Sequence, residues 1–367
     1  MRIDAIDLYF TKNQLLNPWK TAYGSDSDTY VTFVKMTSGS DVGWSEASPL
    51  YAPAYSPEWG YGVYLVIRDF LAPLLIGKDF DDPKEIGDAF RHIKGNPFAK
   101  SGPEIAFWTL KSKRTGVPLH KMLGGEYKEV EVGADFGVLD SVETLIRLID
   151  VAVKRGYPRT KLKVMRGWDL DMLKAVRSHF PNHRFHIDCN SGYTLDDLPL
   201  FKEIDKLGLE MIEQPLMDWD IIDHAKLQKA LDTPVCLDES IKSPDIARQA
   251  IEIGACKYIN IKMGRVGGLC NSKAINDMCL DAGVGCWIGG MLDTAVGTGI
   301  SVEMATMSAM RYPSDIFPPH YYYDEDITEE KIAYSSPGKI MPKNIPGAPY
   351  TPDIEILSER TIESSHH

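Results

Sequence analysis

An α/β chain, with a (β/α)7–8 TIM-type barrel behind an N-terminal α+β capping domain that the C-terminal tail completes, is the fold the sequence predicts. Three observations predict it. Strand-like and helix-like runs alternate from residue 130 onward, the pattern of a parallel sheet with crossover helices. Lys163, Asp188, Glu213, Asp238 and Lys262 recur 25, 25, 25 and 24 residues apart, each in a short apolar run, and that spacing approaches one βα unit. The first 125 residues lack this rhythm. An open doubly wound sheet is the rival arrangement of the same elements.

IDAIDLYF (3–10), TYVTFVKMTSG (29–39) and VGWSEASP (42–49) read as antiparallel strands with Gly and Ser at their turns. Helical patterns follow at 57–76, 83–93 and 103–114, each opened by a proline. LGGEYKE (123–129) supplies a glycine-rich joint. Barrel strands are expected at VEVGADFG, TKLKV, RFHIDCN, LEMIEQ, PVCLDE, YINIK and GCWIGG, with an eighth at 311–316. Between them, runs such as SVETLIRLIDVAVKRG carry apolar residues at a helical period. In the tail, ITEEKIAYSS and GKIMP read as short strands returning to the cap. The expected domains are 1–125, 126–320 and 321–367.

A length of 367 residues, with 44% hydrophobic and 25% charged residues, is that of an ordinary globular protein of about two domains. A net charge of −12 argues against a nucleic-acid partner. No apolar run reaches membrane-spanning length, because YLVIRDFLAPLLIG is cut by Arg68 and Asp69. The opening MRIDAIDLYF reads as a strand and not as a signal peptide, so a cytoplasmic enzyme is expected. The six cysteines show no CxxC pair and are expected to be reduced and buried. His366 and His367 are set aside as a tag remnant.

Side chains alternate along a strand, so Lys161 and Lys163 share one face, as do His186, Asp188 and Asn190. At the C-terminal ends of successive barrel strands, Asp188, Glu213 and Asp238 become three clustered carboxylates, which need a cation beside them. Hard oxygen ligands favour Mg²⁺, with Mn²⁺ possible. Lys163 and Lys262 flank them, and a second amine, a divalent cation and burial would each lower a lysine pKa toward the range of a base. The plainer alternative is two lysines that only balance charge. A metal between two amines suits removal of a proton next to a substrate carboxylate. His186 is expected to be a satisfied core histidine.

TKLKV, HIDCNSGYT, MIEQPL, CLDESI, INIKMGRVGG and CWIGGMLDT resemble the barrel motifs of the enolase superfamily, in its muconate-lactonizing subgroup. Within it they are most similar to the o-succinylbenzoate synthase and N-succinylamino acid racemase group. WKTAYG, GWSEASPLYAPAYSPE and the EIAFW stretch extend the likeness to the front of the chain. The resemblance implies Asp188, Glu213 and Asp238 as metal ligands, Lys163 as acid/base and Lys262 as the opposite lysine. Lys161, Asn190 and Glu239 would support them. Gly289, Gly290 and Met291 would lie in the substrate pocket, and Asp293 would cap a helix whose amides bind an anion. Met263 and Asp293 depart from the usual proline and glutamate. Segments 17–25 and 51–61 would form a lid.

The implied reaction is metal-dependent syn dehydration of 2-succinyl-6-hydroxy-2,4-cyclohexadiene-1-carboxylate through an enediolate, in menaquinone biosynthesis. The alternative is two-base racemisation of N-succinylamino acids, or both activities. Dipeptide epimerisation, muconate cycloisomerisation and a non-catalytic metal-binding barrel rank below these. The expected partner is a small-molecule carboxylate, with homo-oligomers possible.

Overall fold

The computed structural model describes residues 1–21 and 24–367. The chain opens with a long hairpin, β1 (Ala5–Thr21) and β2 (Gly24–Ser38), followed by β3 (Asp41–Ala47). On β1, Ile6, Leu8 and Phe10 are buried while Ala5, Asp7 and Tyr9 are half exposed, the period-2 pattern of a sheet with one covered face. That face packs on α1 (Gly60–Val66), α2 (Pro83–Ala89) and α3 (Pro97–Thr115). The helix expected at 57–76 is shorter and ends through a π turn and a 3-10 turn. The helix expected from 103 begins at Pro97, where proline fits the first turn, and Pro103 lies inside it. The short α4 (Leu119–Met122) leads out of the cap.

After β4 (Val130–Glu131) come seven parallel strands: β5 (Ala134–Phe136), β6 (Thr160–Lys163), β7 (Phe185–Asp188), β8 (Ile212–Glu213), β9 (Val235–Leu237), β10 (Tyr258–Ile261) and β11 (Gly285–Ile288). They pair in sequence order as one curled sheet. The connecting helices are α5 (Val142–Lys154), α6 (Leu170–His179), α7 (Leu198–Asp205), α8 (Ile221–Ala230), α9 (Pro244–Glu252), α10 (Met263–Val266) and α11 (Leu269–Ala282), with α12 (Ala295–Met304) after β11. Leu145 and Ile149 on α5 belong to the main apolar core, and Ala152 is buried on the same helix.

The expected eighth strand at 311–316 forms no regular ladder. Residues 309–315 nevertheless connect the two edges of the sheet. Cys286 N donates to Ala309 O, Asp315 N to Ile288 O, Gly133 N to Ser314 O and Ser314 N to Glu131 O, all at 2.8–3.0 Å. The result is a mixed α/β enolase-type fold: a curled parallel sheet beside a separate antiparallel cap.

The tail corrects two expectations. ITEEKIAYSS is irregular, and β12 (Lys339–Ile340), from GKIMP, pairs with β4 on the barrel side and not with the cap. The strand that does reach the cap is β13 (Thr361–His366), which follows α13 (Ile354–Arg360) and pairs antiparallel with β1. The two terminal histidines are therefore structural: His366 lies opposite Asp7, and His367 exchanges backbone hydrogen bonds with Ile6.

Two buried carboxylates fasten cap to barrel at helix N-termini, where unpaired amides favour an anion. Glu104 of α3 accepts from Leu269 N (2.8 Å) and Cys270 N (2.9 Å) at the start of α11. Glu46 of β3 accepts from Thr294 N at 3.1 Å, ahead of α12.

Candidate active site

Strand register builds the site. Lys163 lies opposite Asp188 across β6 and β7, and Asp188 opposite Glu213 across β7 and β8, so equal spacing in sequence becomes adjacency in space. Asp188, Glu213 and Asp238 are each at most 1% exposed. Beyond these strands the backbone is strained. Of the five non-glycine residues with positive φ among those described, Asn190, Ser191, Gln214 and Leu292 follow β7, β8 and β11.

Motif residues hold the site together. Asn190 donates from its backbone N to Asp188 Oδ1 (2.9 Å) and from Nδ2 to Glu239 Oε1 (3.0 Å), while its Oδ1 accepts from Lys163 Nζ (2.9 Å). Gln214 Oε1 accepts from Asp238 N (3.0 Å) and Ser240 N (3.2 Å), tying the end of β8 to that of β9. At Gly289 an added Cβ would stand 2.3 Å from Asn260 Oδ1 and 2.7 Å from Lys262 Cε, so only glycine leaves room for the lysine stem.

Every carboxylate faces an ammonium or guanidinium. Lys161 Nζ lies 3.1 Å from Asp188, 2.7 Å from Glu213 and 3.0 Å from Asp315. Lys163 pairs with Asp188, and Lys262 with Asp238 at 3.1 Å. Arg265 also grips Asp238, whose Oδ1 accepts from Tyr55 Oη at 3.1 Å. Burial opposes the charge on Lys161 and Lys262, yet the facing carboxylates outweigh it and push both pKa values up. Burial together with Asp188 pushes Glu213 up to about 8, despite Lys161. Burial opposes ionisation of Asp188 too, but Lys161 and Lys163 overcome it and hold this carboxyl well below the usual range.

Among the described residues no three His, Cys, Asp or Glu side chains converge as a ready ligand cluster. The donor set still fits a hard divalent cation: three buried carboxylates at neighbouring strand ends, with Glu213 Oε2 lacking an aligned hydrogen-bond donor. His186 is buried, with Nδ1 2.9 Å from Tyr312 Oη and Nε2 3.4 Å from Glu213.

A chamber of about 80 Å³ lies over these groups, lined by Lys161, Lys163, Asn190, Lys262, Gly290 and Met291 together with Trp19, Tyr55, Asp135, Asp315, Phe317 and Tyr322. The two candidate bases therefore share one cavity. Of the lid segments, Trp19 and Tyr55 reach it; residues 22 and 23 of the segment 17–25 lie outside the described residues. Gly289 and Asp293 line a smaller cavity that shares Lys262 and Met291 with the chamber.

Asp293 is not the cap expected of it. Thr294 caps α12, while Glu46 and Asp326 take the amides of Thr294 and Ala295, so protein carboxylates already fill that N-terminus. Sequence reading also missed Arg265, Asp135 and Asp315. Arg265 stands three residues after Lys262 within INIKMGRVGG, the one available signal for it.

Residues 144–356 match the enolase C-terminal domain-like family, and residues 5–124 the mandelate racemase / muconate lactonizing enzyme N-terminal domain. The chain belongs to the enolase superfamily. It lies in the muconate-lactonizing subgroup. An o-succinylbenzoate synthase of Geobacillus kaustophilus is 39% identical over 96% of this chain and 94% of its own length. An N-succinylamino acid racemase of Thermus thermophilus is 37% identical over 90% of each. An enolase-superfamily protein of Listeria innocua superposes with a TM-score of 0.96 at 34% identity, over 100% of this chain and 99% of that one. Among the described residues no helix is long and apolar enough to cross a membrane.

Proposed function

We propose that this enolase-superfamily chain is an o-succinylbenzoate synthase, a lyase that dehydrates 2-succinyl-6-hydroxy-2,4-cyclohexadiene-1-carboxylate. The observation that carries the proposal is one chamber with Lys163 and Lys262 both in its wall, over three buried carboxylates. Lys163 takes the proton α to the substrate carboxylate and returns it to the departing hydroxyl on the same face. Lys262, held by Asp238, stabilises the negative charge that develops on the carboxylate oxygens. Lys161 positions Asp188 and Glu213.

Asp188, Glu213 and Asp238 would hold a divalent metal, with Mg²⁺ the preferred ion and Mn²⁺ an acceptable one. When bound, the metal supplies Lewis-acid neutralisation of a carboxylate. We assign Asn190 and Glu239 to orienting these ligands, and Gly289, Gly290, Met291 and Asp293 to the substrate side. The finer fold reading, a TIM-type barrel sealed by 309–315, and the division into 1–125, 126–320 and 321–367 belong to the same proposal. Purified protein with Mg²⁺ is expected to dehydrate the cyclohexadiene carboxylate, and Lys163→Ala to abolish turnover. No dehydration by the wild type would overturn the assignment.

A second reading is favoured by the same pair of amines: racemisation of N-succinylamino acids, Lys163 and Lys262 each serving one face of the α-carbon. Deuterium exchange from solvent into both enantiomers of N-succinylphenylalanine tests it. Exchange into neither enantiomer would exclude it.

A further inference from the structure

Glu213 is held differently from the other two carboxylates of the site. Asp188 is gripped by Lys161 and Lys163, and Asp238 by Lys262 and Arg265, so each short side chain meets two cations. Glu213 has one more rotatable bond, hence more rotamer freedom to lose. It meets one ammonium, Lys161, 2.7 Å from Oε2. Its other oxygen is taken by a neutral group: Asn260 Nδ2 donates to Oε1 at 2.7 Å.

Topology explains the reach. Where a parallel sheet curls, side chains from alternate strands meet in one inner layer. Glu213 is on β8, Lys161 on β6 with β7 between them, and Asn260 on β10 with β9 between, so each oxygen is approached from a different side. Ile259 and Ile261, which flank Asn260, belong to the main apolar core, as alternation along a strand requires. Asn260 itself is fully buried, and its Oδ1 has no hydrogen-bond donor. An unsatisfied buried acceptor costs about 1–3 kcal/mol. Stability alone would favour an apolar residue at this point of a strand, yet an amide stands here with its Nδ2 on Glu213. The carboxamide is also walled in: an added Cβ at Gly289 would stand 2.3 Å from its Oδ1 and 2.7 Å from its Nδ2. Arg265 Nη2 fixes the backbone beneath it, donating to Asn260 O at 2.5 Å.

We infer that Asn260 is a positioning residue for Glu213: its amide aims this carboxylate at a divalent cation shared with Asp188 and Asp238, and leaves the carboxylate charge available to the metal. The inference rests on the proposed assignment of Glu213 as a metal ligand. A neutral donor orients a ligand without neutralising it, whereas a second ammonium in the same place would repel the cation.

The test is Mn²⁺ binding to the metal-free protein, followed by the paramagnetic resonance signal of the free ion as MnCl₂ is added. It compares wild type, Asn260→Leu, Glu213→Gln and the double variant. Asn260→Leu keeps the volume and removes the donor, and should raise Kd by about 10–100-fold. In the Glu213→Gln background, itself weakened, the same substitution should change Kd by less than about twofold, because a residue acting through Glu213 has no carboxylate left to aim. Asn260→Ser, too short to reach Glu213, should reproduce the leucine result and keeps the test valid if leucine prevents folding. A merely structural asparagine would produce no such coupling. Unchanged Mn²⁺ affinity in either Asn260 variant, or an equal loss in both backgrounds, would overturn the positioning role and leave Glu213 as a ligand. Unchanged affinity in Glu213→Gln alone would instead refute the ligand assignment, and the inference with it.

Discussion

Replacing Glu104 by alanine tests the seam between cap and barrel. Its carboxylate is 2% exposed and accepts three hydrogen bonds: from Leu269 N at 2.8 Å, Cys270 N at 2.9 Å and Trp108 Nε1 at 2.9 Å. Two of these donors open α11, where no residue further back in the helix can serve them. A buried donor left unsatisfied costs about 1–3 kcal/mol; at about 1.5 kcal/mol each, three put the loss at roughly 4–5 kcal/mol. Burial raises the pKa of Glu104, meaning that the native state already bears a desolvation cost that the substitution removes. Crediting roughly 1–2 kcal/mol for that relief leaves about 3 kcal/mol. Gly268, at φ +117°, packs so closely that an added Cβ would meet Glu104 Oε2 at 2.2 Å, which limits how far the backbone can move to repair the gap. Glu104→Gln keeps an oxygen acceptor and should lose about 1 kcal/mol. Guanidinium unfolding followed by far-ultraviolet circular dichroism and by tryptophan fluorescence gives the order. A Glu104→Ala protein within about 0.5 kcal/mol of wild type, or a glutamine variant as weak as the alanine one, would refute the reasoning.

Lys163→Ala should fold normally and lower α-proton exchange by about 10²–10⁴-fold, the usual range for a general base; isotope exchange read by NMR settles it, and retained exchange removes Lys163 from the chemistry. Chelation should abolish activity and Mg²⁺ restore it, with Glu213→Gln raising the Mg²⁺ concentration needed by about 10–100-fold; an unchanged requirement would exclude Glu213 as a ligand. Burial pushes Glu58, which accepts from Phe98 N and Ala99 N at the start of α3, up to about 7 from 4.5. The folded state therefore holds a proton that the unfolded chain has released. The resulting stability is fully present below pH 4.5 and is lost as pH rises to about 7, by at most about 1.4 kcal/mol per pH unit. Denaturation midpoints at pH 5 and pH 8 should diverge less in Glu58→Gln than in wild type, and equal divergence would show that Glu58 does not titrate there. Gly289→Ala should slow turnover through displacement of Lys262, and wild-type kcat would count against the close approach.

The outline of the site was legible because covalent order dictates it. In a parallel sheet with regular crossovers, equal spacing along the chain becomes lateral adjacency, and Lys163, Asp188 and Glu213 do pair across β6, β7 and β8. Groups outside that rhythm carried no such signal. Arg265 reaches Asp238 from the short α10 after β10, Tyr55 descends from the cap, and Asp135 and Asp315 lie where the sheet is least regular. The tail was misread because TIESSH has a weaker strand pattern than ITEEKIAYSS; pairing with β1 gives it its structure. The role given to Asp293 failed for a tertiary reason, since Glu46 arrives from 248 residues away to serve the same helix end.

The segment 309–315 joins the sheet edges through scattered hydrogen bonds, where every other stave has a ladder with its neighbour. It is also the stave that carries Asp315 into the chamber and leads on to Phe317 and Tyr322. Because backbone atoms make these bonds, the side chains on this stave can be exchanged one at a time without unpicking the sheet. If Asp188, Glu213 and Asp238 hold the metal as proposed, freedom to change substrates would lie at the sheet edges, away from the strands that carry reactivity.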